Sequence, residues 1–208
     1  MPGWNIHLEV GERIASKLKL SSKEKEEFLL GCVLPDINNG YINNVKIKKE
    51  HKRTHWAFEE KSSLNFFEKY KEQIEKREPI YLGYLVHLYT DGYFNYDFYR
   101  NIKKLPEYQG WKREELRKIK HNDFWIFDSK FNERRLEISD KKAAVLKANQ
   151  IEGIEIDEEE VSEVEGILRS DDFVKAVSGR YYQFYDEKRL DQLMGGMISS
   201  FSKDYLDF

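Results

Sequence analysis

One cysteine and four prolines stand in the 208 residues, and no apolar run approaches the roughly 18 residues that span a bilayer. The single cysteine, Cys32, excludes an internal disulfide and fits a reducing cytoplasm. It lies in an apolar stretch and reads as a small core residue rather than a nucleophile. The N-terminus, MPGWNIHLEV, lacks a basic start, a long apolar block and a cleavage-site pattern, so a cytoplasmic protein without a transmembrane segment is expected. A dominant charge is missing too. With 35 basic against 38 acidic residues and a net charge of -3, no global basic field recommends nucleic acid as a partner. Internal repeats and low-complexity linkers are absent.

What is present is a 40% hydrophobic, 35% charged chain, rich in Lys and Glu, with apolar residues every three or four positions. That pattern predicts an all-α, multi-helix bundle. We read one domain over 1–208, with a motif-bearing core at 1–130 and a C-terminal helical part at 131–208. Asn5 is expected to cap a first helix, with Ile6, Val10, Ile14 and Leu18 on one face. Ser21 or Ser22 caps a second, stopping at Pro35. PDINNGYINN is turn-rich, and a basic run, VKIKKEHKRTH, follows it. Further helices are expected from about Trp56 to Lys76, from Pro79 to about Lys104 with a kink near Gly92, and from Trp111 through Phe131. The remaining three are 139–150 capped by Ser139, one from Asp157 after a short extended piece, and a last one interrupted at Gly195-Gly196.

The most informative stretch is PIYLGYLVHLYTDGYFNYDFYR at 79–100, apolar almost all round and so expected in the middle of a domain. Inside it, His87 and Asp91 are four residues apart and share a helix face. A buried imidazole and carboxylate need compensation. A divalent metal supplies it; a His–Asp hydrogen bond within the core supplies it as well. Other groups recur in punctuated segments. His7 opens the first helix, Asp36 follows Pro35, His51 and His55 are four apart, and His121 begins HNDFWIFD. Together they are a sufficient ligand set for one or two metals.

GWNIHLEV, FLLGCVLPDI, THW and YLGYLVHLYTD, in that order, resemble the motifs of the zinc-dependent phospholipase C superfamily, which includes related zinc nucleases. The resemblance covers about residues 1–100 and is closest to its small, unprocessed intracellular branch in Gram-positive bacteria. It implies a metal cluster between helices, held by His7, Asp36, His55, His87 and Asp91, with Asp91 bridging two ions. His51 has a weaker claim. Three departures stand out. The mature N-terminal tryptophan of secreted members corresponds here to an internal Trp4, which we read as packing. Asp97 stands six residues after Asp91, where the family has a histidine. His121 is followed four residues later by Trp125 rather than a carboxylate, although Asp123 and Asp128 are close behind. Asp97 and His121 therefore rank with His51 as secondary ligand candidates.

The implied activity is phosphoester hydrolysis on a phosphodiester or phospholipid head group. Two ions, zinc first and iron or manganese as alternatives, would activate water, with Asp36 and Asp91 in catalytic roles and Asp36 the candidate general base. Lys52 and Arg53 offer phosphate contacts, against the plainer reading of a solvated basic loop. A nuclease, a phosphomonoesterase and an inactive helical binding protein on the same scaffold are the alternatives. A His–Asp phosphohydrolase ranks lower, because no adjacent His-Asp pair occurs.

Overall fold

The three-to-four-residue spacing of apolar side chains folds into helix after helix: α1 (Trp4–Leu18), α2 (Ser22–Ile37), α3 (His51–Thr54), α4 (Ser62–Lys69), α5 (Lys71–Glu75) and α6 (Pro79–Ile102). The second half adds α7 (Arg113–Asp128), α8 (Lys141–Ala148), α9 (Glu158–Arg169), α10 (Asp172–Val177) and α11 (Glu187–Tyr205). This computed structural model describes residues 2–37, 51–56, 62–133, 136–170 and 172–206, and no strand occurs among them. The fold class is all-α, as the sequence indicates. No helix among the described residues is long and apolar enough to cross a membrane.

α6 is the central strut. Pro79 occupies its first turn, where a missing N–H costs nothing, and thirteen residues between Ile80 and Phe98 are buried. Among the described helices α6 packs most extensively on α2, and two glycines permit the close approach. A Cβ at Gly83 would overlap the Phe28 carbonyl, and one at Gly31 would overlap the Ile80 carbonyl. The two backbones thus touch directly. Phe66 of α4 stacks on Tyr84 of α6, centroids 4.5 Å apart, and closes one flank. The buried core runs on from Trp4 to Phe201, so α1 and α11 share it with α6.

Several helix ends differ from expectation. Asn5 does not cap α1. The helix starts at Trp4, and the carboxylate of Asp128, at the end of α7, accepts the Ile6 N–H (2.8 Å) and the Asn5 side-chain amide (3.0 Å). A buried first-turn N–H that has no partner within the helix is thus satisfied from a site 122 residues away, which no local pattern reveals. Pro35 does not stop α2, which is described to Ile37. Lying in the last turn, it removes a single bond, to the Gly31 carbonyl. The helix expected from Trp56 to Lys76 is divided into α4 and α5, and Trp56 itself has a left-handed φ of 52° that ends the turn after α3. α6 runs unbroken through Gly92, and α11 through Gly195-Gly196, because isolated glycines weaken a helix without stopping it. The α8 cap is Asp140, which accepts the Ala143 N–H, while Ser139 instead donates to Glu26. α9 has the expected acidic start, with Asp157 and Glu160 forming a capping box. α10 has no counterpart in the sequence reading. The turn-rich PDINNGYINN and the basic run after it lie, for the most part, outside the described residues.

A second long-range carboxylate fixes the C-terminal part. Asp123 of α7 is fully buried and accepts the backbone N–H groups of Gln183, Phe184 and Tyr185, each at 2.8 Å. Replacing it with Ala removes the acceptor of three N–H groups, that of Tyr185 buried and those of Gln183 and Phe184 part-buried. The expected loss for Asp123→Ala is about 3–5 kcal/mol of unfolding free energy, read from the urea midpoint. A loss under about 1 kcal/mol would show that water replaces the carboxylate.

Candidate metal centre

The Gly31–Gly83 contact has a chemical consequence. With α2 and α6 this close, the Cys32 carbonyl lies 2.8 Å from His87 Nδ1. A carbonyl only accepts, so Nδ1 carries the proton, and in the neutral ring the lone pair is on Nε2. That lone pair points into a buried space shared with four other side chains. Asp91, one turn further along α6, places Oδ2 3.8 Å from His87 Nε2. Asp36, at the end of α2, has Oδ2 4.0 Å from the same nitrogen. His7, in the first turn of α1, stacks on His87 with centroids 3.9 Å apart and places Nε2 3.4 Å from Asp91 Oδ1. His55, just after α3, brings Nε2 to 3.3 Å from both His87 Nε2 and Asp36 Oδ1, and to 3.7 Å from Asp91 Oδ2.

Thr54 orients His55. Its hydroxyl donates to the His51 carbonyl (3.3 Å) and lies 3.0 Å from His55 Nδ1, leaving it free to accept that ring's Nδ1–H. The Thr54 carbonyl in turn accepts from the Tyr84 hydroxyl. Outer-shell bonds of this kind fix ring orientation and tautomer at metal sites. The sequence reading missed Thr54, Tyr84 and the Cys32 carbonyl; only the close helix crossing gives the last its place.

The five side chains form a buried, mutually charged cluster. Burial opposes ionisation of Asp36, but His87, His55 and His7 outweigh it and hold the carboxyl far below the usual carboxylate range. Asp91 is held at about 2, where burial is again outweighed, here by His7, His87 and His55. His87 is pushed down to about 3 by burial and by neighbouring His7, against the pull of both carboxylates. His55 goes the other way: burial lowers it, and the Asp36 hydrogen bond and the two carboxylate charges raise it above its ordinary value. Two ionised carboxylates and a neutral imidazole thus converge, beside a His55 ring whose protonated form the carboxylates favour.

Hydrogen bonding within the cluster is incomplete. His7 Nδ1 and Nε2 and Asp91 Oδ1 are buried with no hydrogen-bond partner. Orphaned atoms of this kind are costly, and a cation among two carboxylates and three imidazoles relieves them. Two trios have ligand atoms within 4.8 Å of one another: His7, Asp36 and His87, and His55, His87 and Asp91. The residues present fit a divalent metal.

The secondary candidates are placed differently. His51 stacks on His55 at 3.8 Å, and burial together with that ring lowers it to about 4. It belongs to neither trio. Asp97 accepts from the Tyr185 hydroxyl (2.8 Å) and pairs with Arg189 (3.1 Å), so it faces the α11 side. His121 lies beside Trp125, and Asp123 and Asp128 are committed to the backbone bonds described above. Trp4 is buried in the core. Arg53 is exposed.

Five buried ligand-type side chains thus form, in an all-helical frame, a carboxylate–imidazole cluster that could hold a cation. Residues 6–94 match the family described as zinc-dependent phospholipase C, and that span contains all five. A comparison with curated proteins finds no match, and one with solved structures finds none.

Protonation gives the site a testable signature. A metal would compete with the proton that the carboxylates favour on His55, whereas burial and the neighbouring charges favour the deprotonated forms of His87, Asp36 and Asp91. Affinity is therefore expected to fall as pH drops through the raised His55 value. Calorimetry in buffers of different ionisation enthalpy should show net proton release on zinc binding near neutral pH. Zinc affinity that does not change between pH 6 and pH 8 would contradict this account.

Proposed function

We propose that the protein is a metal-dependent phosphoester hydrolase acting on a phosphodiester, with a phospholipid head group as the substrate class its family suggests. The observation that carries this is the convergence of His7, Asp36, His55, His87 and Asp91 with buried, unpartnered ligand atoms. The reading takes two zinc ions, with Asp91 presenting one oxygen toward His7 and the other toward His55 and His87.

When bound, divalent ions at such a site acidify water and neutralise charge on a phosphoryl group. The chain's own residues do the rest. His87 presents Nε2 because the Cys32 carbonyl holds its other nitrogen. His55 is oriented by Thr54. Asp36, so strongly favoured in its ionised form, is better suited to holding a cation than to accepting a proton, so we assign it to ligation ahead of general-base duty. Burial of all five side chains lowers the local dielectric and strengthens every charge interaction there. We take residues 131–208 as part of the same domain, and we place the protein in the cytoplasm on the strength of its lone, buried, unbridged thiol.

The test is hydrolysis of bis(p-nitrophenyl) phosphate and of phosphatidylcholine by zinc-reconstituted protein, before and after chelation. Turnover that chelation abolishes and zinc restores is expected. Bound zinc without turnover of any phosphodiester would instead favour a binding protein on this scaffold.

A further inference from the structure

Outside the metal centre, cations gather where no carboxylate answers them. Arg113, Arg117 and Lys120 are spaced i, i+4, i+7 and so share one face of α7. They look across at Asn95, Tyr99 and Arg100 of α6, around an open pocket of about 640 Å³ with no acidic residue in its lining. Like charges stacked on one helix face are destabilising by themselves.

Lys120 is the least expected member. It is 5% exposed, and its ammonium makes a 2.5 Å bond to the Asn95 side-chain oxygen and lies 5.0 Å from the centre of the Tyr99 ring. None of the four cations forms an ion pair with a carboxylate among the described residues. Surface lysines point into water; one buried against an amide and a ring, beside two arginines, is costly unless something anionic joins it. Tyr99 holds the array together, with Arg113 over the same ring at 5.5 Å, and Arg100 lies 5.6 Å from the Tyr96 ring.

We propose that this pocket is an anion-binding site, separate from the metal centre, that takes a phosphate-monoester dianion. Guanidinium forks match phosphate oxygens in pairs, and Lys120 supplies a point charge at the pocket floor. Several converging cations suit a dianion better than a lone carboxylate. The patch is local, in a chain whose net charge is -3, and its volume is that of a small head group or metabolite rather than a nucleic-acid track. Burial pulls Lys120 down to about 8; the Asp91 charge partly offsets this, while Arg113 and Arg117 add to it, as expected of a cation with no carboxylate paired to it.

The site begins one helical turn from Asp91, at Asn95, yet none of its residues belongs to the cation cluster. The two sites share no ligand residue, so binding here can be tested with the metal removed, and either reading can fail alone.

The experiment is calorimetric titration of the full-length protein with glycerol 3-phosphate, and sedimentation with phosphatidylcholine vesicles containing phosphatidic acid. Wild type is compared with the Arg113→Gln/Arg117→Gln double variant, both exposed positions where folding is not at stake. Binding that survives chelation of metal and weakens by about tenfold or more in the double variant is expected. Binding of glycerol 3-phosphate identifies a soluble ligand. Binding confined to the vesicles, with the same loss in the variant, identifies a lipid-borne head group. Equal binding by wild type and double variant, binding that chelation abolishes, or no binding to either probe would overturn the proposal.

Discussion

Gly83→Ala is expected to lower unfolding free energy by about 3 kcal/mol or more, a large share of the roughly 5–15 kcal/mol that holds a domain together. The added methyl overlaps a backbone carbonyl, that of Phe28, rather than the mobile end of a side chain. Neither helix can yield without separating α2 from α6, and separation breaks the 2.8 Å bond between the Cys32 carbonyl and His87. The same substitution should therefore weaken zinc binding as well as folding. Gly166→Ala in α9 provides the contrast. Nothing lies within 4 Å of a Cβ there, so the higher helix propensity of Ala should add about 0.5–1 kcal/mol. Urea denaturation of the two variants measures both. Equal effects would mean that the helix crossing tolerates a methyl group and that the glycine contact does not position the site.

Asp91→Ala is expected to reduce zinc-dependent phosphodiester hydrolysis by at least about a thousandfold, roughly 4 kcal/mol of transition-state stabilisation. Asp91 reaches His7 with one oxygen and both His55 and His87 with the other. Its removal leaves three imidazoles with a single carboxylate, Asp36, among them. His55 should lose part of what raises its pKa, because the Asp91 charge is one of the causes of that rise. Residual activity within about tenfold of wild type would show that Asp91 does not bridge the ions and that the chemistry, if present, is elsewhere.

Some of this was legible in the sequence, for identifiable reasons. The all-helical class follows from spacing that persists over whole segments, and His87 and Asp91 declare themselves because charged residues rarely sit in so apolar a run. His7, Asp36 and His55 emerge through ordered motifs, each weak by itself. What the sequence concealed is long-range. Asp128 serves the first turn of α1 from the end of α7, and Asp123 gathers three N–H groups beyond residue 180. Pro35 and Gly195-Gly196 carry local signals to break a helix, and tertiary packing overrides them. The Gly31–Gly83 contact could not be read at all, since a glycine inside a helix pattern looks like a defect until its partner is seen. The cations of α7 were hidden differently: spread over eight residues among acidic neighbours, they resemble an ordinary solvated face until α6 is placed opposite.

The most direct test of the central claim, that the buried His and Asp side chains hold metal, is elemental analysis of the purified protein and of His87→Ala. About two equivalents of zinc in the wild type, lost from a variant that still shows its helical circular-dichroism signal, is the expected result. No metal in the wild type after reconstitution with zinc, iron and manganese would contradict the account, and the five side chains would then be a polar cluster of the core.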